Sequence, residues 1–269
     1  MVTDHESFSG PATAGPDVVV PADARRRPVA PRSGVSVGVD TPSTRSEYLS
    51  LWSDLHGGYD ASSSRMVRGW LTLSYVLARP LARAGVAPNA VTAVGVVFAV
   101  IALSTAGAGP WGAGGAALLL VASALVDSLD GAVALLRGRS SAFGYVADSV
   151  ADRLSDMLAF AILAALGAPV PLVVAVAVLT LLHETARARA VSAGMTSSGV
   201  VTVWERPSRV IAVVVTLLGS AMVDDTTMFA TIGVGVAVLL AVIGFSQLVV
   251  RIHHTLSALP APRPGRTRG

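Results

Sequence analysis

Between residues 90 and 250 the chain passes through six apolar stretches, 90–108, 112–136, 144–168, 170–192, 207–223 and 227–250. Each is close to the ~20 residues a helix needs to cross a bilayer. A soluble fold would have to cover that much apolar surface with charge, and the charge is missing. Of 269 residues, 52% are hydrophobic and 14% charged, against roughly 25% charged in soluble domains. The expectation is therefore an all-α integral membrane protein. With no cysteine in the chain, disulfides, thiolate catalysis and zinc–thiolate sites are excluded. The net charge of +3 comes from Arg alone, without a single Lys. Many of these Arg lie in connections beside apolar runs, which speaks for membrane orientation and against nucleic-acid binding.

Four segments are expected. Residues 1–45 are rich in Pro, Gly, Ser, Thr and Asp without a sustained apolar period and read as a disordered tail. No apolar run follows Arg25-Arg26-Arg27 closely enough to form a signal peptide. Residues 46–86 form a juxtamembrane segment. In it Met66–Val86 mixes Trp70, Leu71, Leu73, Tyr75, Val76 and Leu81 with Arg68, Arg79 and Arg83, as an amphipathic helix in the interface does. Residues 87–252 are the membrane domain and 253–269 a flexible C-terminal tail. The connections near 106–114 and 167–171 are uncharged, and the one near 223–227 carries only Asp224 and Asp225. The opposite ends carry Arg79, Arg83, Arg137, Arg139, Arg187, Arg189, Arg206, Arg209 and Arg251. The positive-inside rule puts the Arg-rich side, and both termini with an even number of spans, in the cytoplasm.

Charge inside the apolar stretches needs its own explanation. Asp127, Asp130, Gly131 and Ala134 follow i, i+3, i+4, i+7 spacing, and Gly144, Asp148 and Asp152 follow i, i+4, i+8. Each set is one stripe of a helix. Joined by the basic turn Arg137–Ser141, antiparallel helices would point these stripes at each other near the cytoplasmic end. An ionised carboxylate at the centre of a membrane helix costs ~2.5–3.5 kcal/mol on insertion scales, and packing alone does not account for four. A divalent cation does, since hard carboxylate oxygens suit Mg²⁺ or Mn²⁺. Gly131 and Gly144 leave the same stripes without a Cβ, so a phosphate or nucleotide can approach the backbone.

The stripes resemble the signature of the CDP-alcohol phosphatidyltransferase family, D-x2-D-G-x2-A-R-x8-G-x3-D-x3-D. The match holds at Asp127, Asp130, Gly131, Ala134, Gly144, Asp148 and Asp152, with every spacing kept. One position departs: Leu135 stands where the family has Arg, and Arg137, two residues on, projects from another face. Pro88-Asn89-Ala90-Val91-Thr92 resembles the family's P-N-x-x-T near the cytidine; Asn89 also reads as a helix N-cap after Pro88. The resemblance spans residues 66–252. It implies six transmembrane helices around a polar cavity open to the cytoplasm, in a homodimer at the cell membrane. Asp127, Asp130, Asp148 and Asp152 would hold two divalent ions. Asp152 would also take the proton of the acceptor hydroxyl, and Asn89, Thr92, Asp130, Gly131, Ala134 and Gly144 would line the donor nucleotide. The implied reaction passes a phosphatidyl group from a CDP-lipid such as CDP-diacylglycerol to a polar alcohol, and CMP leaves.

On the acceptor side, His183–Arg189 and Trp204–Arg209 resemble stretches of family members that take inositol phosphate. Arg187, Arg189, Arg206 and Arg209 are the candidate phosphate ligands, since the guanidinium fork suits phosphate. Glycerol phosphate and plain inositol stay open as acceptors. Arg153 and Asp156 read either as an i, i+3 pair or as partners behind the metal ligands, and His183 as a hydrogen-bonded interior histidine. Two other functions compete: a membrane prenyltransferase with an aspartate-bound Mg-diphosphate, and a cation transporter. The first has more spans and an Asn-led acidic motif, where this chain has Val126 before Asp127. The second needs acidic groups spread across the bilayer depth, whereas these cluster at one face.

Overall fold

The structure, a computed structural model, describes residues 41–55, 60, 64–139, 141–195 and 201–258. Most of the expected N-terminal tail, and residues 259–269 of the C-terminal one, lie outside the described residues. Those described form eight α-helices and no strand: α1 (Arg45–Leu55), α2 (Arg65–Arg83), α3 (Pro88–Ala106), α4 (Gly109–Leu136), α5 (Ala142–Ala165), α6 (Val170–Ser192), α7 (Arg206–Ser220) and α8 (Thr227–Ser257). Helices α3 to α8 fall on the six apolar stretches. Four of them, α3, α4, α6 and α8, are long and apolar enough to cross a membrane, which makes this a membrane protein. Helix α5 carries Asp148, Asp152, Arg153 and Asp156, and α7 has only 15 residues.

The boundaries follow from local chemistry. Pro88, Pro110, Pro171 and Pro207 sit in the first turns of α3, α4, α6 and α7, where a missing N–H costs nothing. Asn89 is therefore not the N-cap of α3; Ala87 is, and the Asn89 side chain is left for other partners. Gly138, at φ 60°, ends α4 in the left-handed conformation that lets the Arg139 N–H turn back onto the Ala134 carbonyl at 3.0 Å. Ser141 then caps α5 by accepting from the Gly144 N–H at 2.9 Å. Helix α8 runs on through His253 and His254 to Ser257, five residues into the stretch expected as a flexible tail.

The bundle has two chemically distinct ends. At one, the α5–α6 and α7–α8 connections meet: Thr226 Oγ1 donates to the Leu166 carbonyl at 2.7 Å. The charged side chains of the candidate site lie at the other. Between them the core is made largely of small residues: Ala99, Ala102 and Ala106 of α3 and Ala113, Ala116 and Ala117 of α4 are all buried. Small side chains let membrane helices approach closely enough for dispersion to hold them. Where α3 and α4 are nearest, Ser123 Oγ donates to the Gly95 carbonyl at 2.8 Å. Large apolar side chains of α6 and α8, among them Val174, Val178, Ile232 and Leu239, face outward, as a lipid-facing surface requires.

Helix α2 divides into three faces. Leu71, Tyr75 and Ala78 are buried, in the cluster that also holds Leu129, Ala132 and Val133 of α4. Met66, Trp70, Leu73 and Leu77 form an exposed apolar stripe, and the Arg residues occupy a third side. This is the pattern of a helix with one face in lipid and one in water. Helix α1 packs on it through the Tyr48–Tyr75 ring pair, 5.4 Å between centroids.

The link from α6 to α7 turns inward at Trp204, which is fully buried, stacks on Phe160 and donates Nε1–H to Thr180 Oγ1 at 2.9 Å. Gly244 of α8 makes this seat possible: a Cβ there would overlap the Trp204 Cβ and lie 3.0 Å from its backbone nitrogen. Gly235, on the same helix, faces open space. Gly244→Ala should therefore destabilise the protein by about 1–3 kcal/mol through overpacking. Gly235→Ala should leave the melting temperature in detergent unchanged or raised, since Ala is the better helix former; thermal unfolding of both variants checks the contrast.

Candidate active site

The antiparallel α4–α5 hairpin brings the two acidic stripes together. Oxygens of Asp127, Asp148 and Asp152 lie within 4.8 Å of one another, all three side chains half-buried. Asp130 is placed differently: it is 7% exposed and accepts a short hydrogen bond from Thr92 Oγ1 of α3. The expected set of four carboxylates is thus a cluster of three, with the fourth tied to the neighbouring helix.

On the α3 side of the cluster the polar side chains of Asn89 and Thr92 face α5 and α4. Nothing lies within 4 Å of where a Gly131 Cβ would stand, and a Gly144 Cβ would come 3.4 Å from Asn89 Oδ1. Asn89 thus approaches Gly144 of α5 and Thr92 meets Asp130 of α4, the residue before Gly131, with Ala134 half-buried one turn beyond Gly131.

The other side is basic. Arg206, at the start of α7, puts Nη1 2.5 Å from Asp127 Oδ2 and in contact with Asp152 Oδ1. Arg153 reaches Asp152 at 3.2 Å and Glu184 of α6 at 2.8 Å. Glu184 also accepts from Arg209 at 2.5 Å, and Arg209 donates to Asp156 at 2.8 Å and to the Trp204 carbonyl at 2.9 Å. These groups form one string of alternating sign: Asp127, Arg206, Asp152, Arg153, Glu184, Arg209, Asp156. The i, i+3 pairing of Arg153 with Asp156 does not form, because Glu184 and Arg209, across the helix interfaces, supply each with a partner.

Of the four Arg read as phosphate ligands, Arg209 is 2% exposed and has both terminal nitrogens taken up, by Asp156, Glu184 and the Trp204 carbonyl. Arg187 pairs with Glu205 at 2.5 Å, and Arg189 is exposed. Glu184 has no role in the sequence reading. The cost argument applied to the aspartates would have found it, since it too is an acid within an apolar helix. His183 is the expected interior histidine, with Nε2 3.1 Å from Thr202 Oγ1. Arg137 does not take the place of the missing family Arg. It donates to the Gly85 and Val86 carbonyls at 2.7 and 2.5 Å, while Leu135 packs into the apolar cluster shared with α2.

The string together with Asp148 holds five carboxylates against three guanidinium groups, and Asp148 adds its charge at the cluster end. Closely spaced hard oxygens carrying surplus negative charge suit a divalent cation. Asp127, Asp148 and Asp152 are the residues placed to hold it.

Comparison with known proteins agrees with this geometry. The family model for CDP-alcohol phosphatidyltransferase matches residues 85–243. The chain belongs to the CDP-alcohol phosphatidyltransferase family. It is 33% identical to the phosphatidylinositol phosphate synthase of Mycolicibacterium smegmatis over 208 residues, 72% of this chain and 89% of that protein. It is also 35% identical to the archaetidylinositol phosphate synthase of Methanothermobacter thermautotrophicus, over 51% of this chain and 67% of that one. Among solved structures it resembles Mycobacterium tuberculosis phosphatidylinositol phosphate synthase with CDP-DAG bound, at a TM-score of 0.58, 29% identity and coverage of 72% of this chain and 99% of that one. The same enzyme in complex with manganese and citrate matches at a TM-score of 0.54 and 30% identity, covering 71% and 93%.

Membership makes this chain a metal-dependent transferase of phospholipid synthesis, passing a phosphatidyl group from a CDP-activated lipid to an alcohol with release of CMP. The prenyltransferase and transporter readings fall away. In a CDP-alcohol phosphatidyltransferase with this site, Thr92→Val would leave buried Asp130 without its partner. A hydrogen bond to a charged group contributes about 1.5–3 kcal/mol, so kcat/KM for CDP-diacylglycerol should fall roughly 10- to 100-fold by steady-state CMP release.

Proposed function

We propose that the acceptor is inositol phosphate and the donor CDP-diacylglycerol or a similar CDP-lipid. The observation that carries this reading is an agreement among relatives that differ otherwise. The bacterial relatives are named for a phosphatidyl lipid and the archaeal one for an archaetidyl lipid, yet all three names carry the same inositol phosphate headgroup. The likeness of this chain to all of them tracks the acceptor, not the lipid. The basic side of the site supports it: Arg206 lies beside the aspartate cluster and Arg187 nearby on α6, and guanidinium groups suit a phosphorylated polyol better than a neutral one.

On this reading the α3-side face of Asn89, Thr92, Asp130, Gly131, Ala134 and Gly144 receives the donor nucleotide, and Arg187, Arg189 and Arg206 draw the acceptor phosphate to the opposite side. Arg209 acts from behind, holding the start of α7. Two Mg²⁺ or Mn²⁺ ions, held by Asp127, Asp148 and Asp152 with Asp130, would neutralise the donor diphosphate and the departing CMP. Asp152 sits between the basic side and the cluster, where a carboxylate can take the proton of the acceptor hydroxyl as its oxygen attacks the phosphatidyl phosphorus.

We further infer six spans, with α5 and α7 completing the set. The charged groups of α5 face α4, α6 and α7, so they do not oppose its crossing. Helix α7, with 15 residues, is about 22 Å long at 1.5 Å per residue and reaches the interfaces through its flanking loops. The Arg-rich end, with the site and both termini, then faces the cytoplasm at the cell membrane, and the functional unit is a homodimer.

The test is CMP release from CDP-diacylglycerol by purified protein with Mn²⁺ or Mg²⁺, comparing inositol phosphate, inositol and glycerol phosphate. Release should be fastest with inositol phosphate; equal or faster release with either alternative rejects the acceptor assignment and leaves the family standing. Asp152→Asn should lower kcat at saturating Mn²⁺ by about 10²- to 10⁴-fold, the usual contribution of a general base, with Mn²⁺ affinity falling as well because the same carboxylate belongs to the ion cluster. Normal turnover in that variant removes Asp152 from the role.

A further inference from the structure

Asp152 and Arg153 are adjacent on α5, and consecutive helical side chains point about 100° apart, so they do not ordinarily face each other. Here they are in contact at 3.2 Å. Something must draw the Arg153 guanidinium round to the cluster side, and the group placed to do so is Glu184, 2.8 Å from its other nitrogen. Glu184 is itself fixed from behind by Arg209, at 2.5 Å. Arg209 is 2% exposed and anchored by Asp156, at 4%, and by the Trp204 carbonyl. The order of support thus runs from a buried anchor, held through both terminal nitrogens, outward to a half-buried carboxylate of the ion site.

We propose that Glu184 is a positioning residue for the transfer: through Arg153 it fixes the Asp152 carboxylate in the geometry that the Asp127–Asp148–Asp152 cluster requires. Groups that orient a metal-ligating carboxylate typically change metal affinity or activity 10- to 100-fold when removed. A network that merely bolts α5, α6 and α7 together would change stability without touching ion affinity, which separates the two roles. The inference rests on Asp152 belonging to the ion site and not on the identity of the acceptor.

The experiment is Mn²⁺ titration followed by electron paramagnetic resonance, on full-length protein in detergent, without donor or acceptor. Glu184→Gln keeps the shape and an acceptor oxygen but removes the charge that holds Arg153. It should raise the Mn²⁺ dissociation constant about 10- to 100-fold, with kcat falling in parallel and the KM for CDP-diacylglycerol little changed. Arg153→Gln, at a side chain 31% exposed, should give the same shift, and the double variant should be no worse than the worse single one. Unchanged Mn²⁺ affinity in folded Glu184→Gln, or additive losses in the double variant, overturns the proposal. Should Glu184→Gln fail to fold, unchanged affinity in Arg153→Gln overturns it equally. Because the titration contains no acceptor, its failure is distinct from failure of the inositol phosphate assignment.

Discussion

Holding carboxylates among membrane helices is the constraint on which the rest of this structure depends. Acids inside apolar helices are tolerated only when each finds a counter-charge or a donor. Here the counter-charges come from different helices: Arg206 and Arg209 from α7 serve Asp127, Asp152 and Asp156, and Glu184 of α6 takes up Arg153 and Arg209. The string therefore ties the site end of α4, α5, α6 and α7 together, as alanine packing and the Thr226–Leu166 contact do elsewhere in the bundle. Buried ion pairs of this kind contribute little net stability, yet losing one partner typically costs about 3–5 kcal/mol because a bare charge is left behind. The helices are thereby held to one arrangement, the one that sets the three aspartates together.

The α2–α4 contact is organised on a different basis. Leu135 stands where the family signature carries Arg, and it packs against the apolar cluster that includes Leu71 and Tyr75 of α2. Arg137 meanwhile binds the carbonyls just beyond the end of α2, a favourable place for a cation at a helix C-terminus. The basic charge at this end of α4 thus serves to join two helices. Trp70 of α2 adds a hydrogen bond to Ser128, 3.0 Å away and next to Asp127. Helix α2 is in this way connected to the turn of α4 that carries Asp127.

The apolar stretches located the helices because length and hydropathy are local properties, and the phase of Asp127, Asp130 and Gly131 located a site because 3.6-residue periodicity is local too. Pairing is not local. Arg153 meets Glu184 and Arg209 meets Asp156 across helix interfaces, so an i, i+3 rule applied to Arg153 and Asp156 named the nearest partner and missed the actual ones. Asp130 looked equivalent to the other aspartates along α4, and only the approach of Thr92 on α3 sets it apart. Helix α1 was legible and went unread. Thr44 and Glu47 form a capping box, with the Glu47 N–H donating to Thr44 Oγ1 at 3.2 Å and the Thr44 N–H to the Glu47 carboxylate at 3.4 Å, which also accepts from the Ser43 N–H at 2.8 Å. These bonds hold the exposed Glu47 carboxyl below its ordinary range.

Burial also sorts the arginines, which composition could not. Arg206 and Arg209 lie three apart on α7 and so share a face. Arg209 is buried and paired with Asp156 and Glu184, whereas the Arg206 side chain, at 21% exposure, reaches Asp127 and Asp152 of the cluster. The deeper residue fixes the helix start and the shallower one presents its guanidinium, an arrangement neither could supply alone. Trp204 belongs to the same device, since its carbonyl accepts from Arg209 and its ring is seated against Gly244. The position of a charged group at the mouth of the site is therefore set by an aromatic ring in the core and by a glycine on a helix that carries none of the candidate site residues.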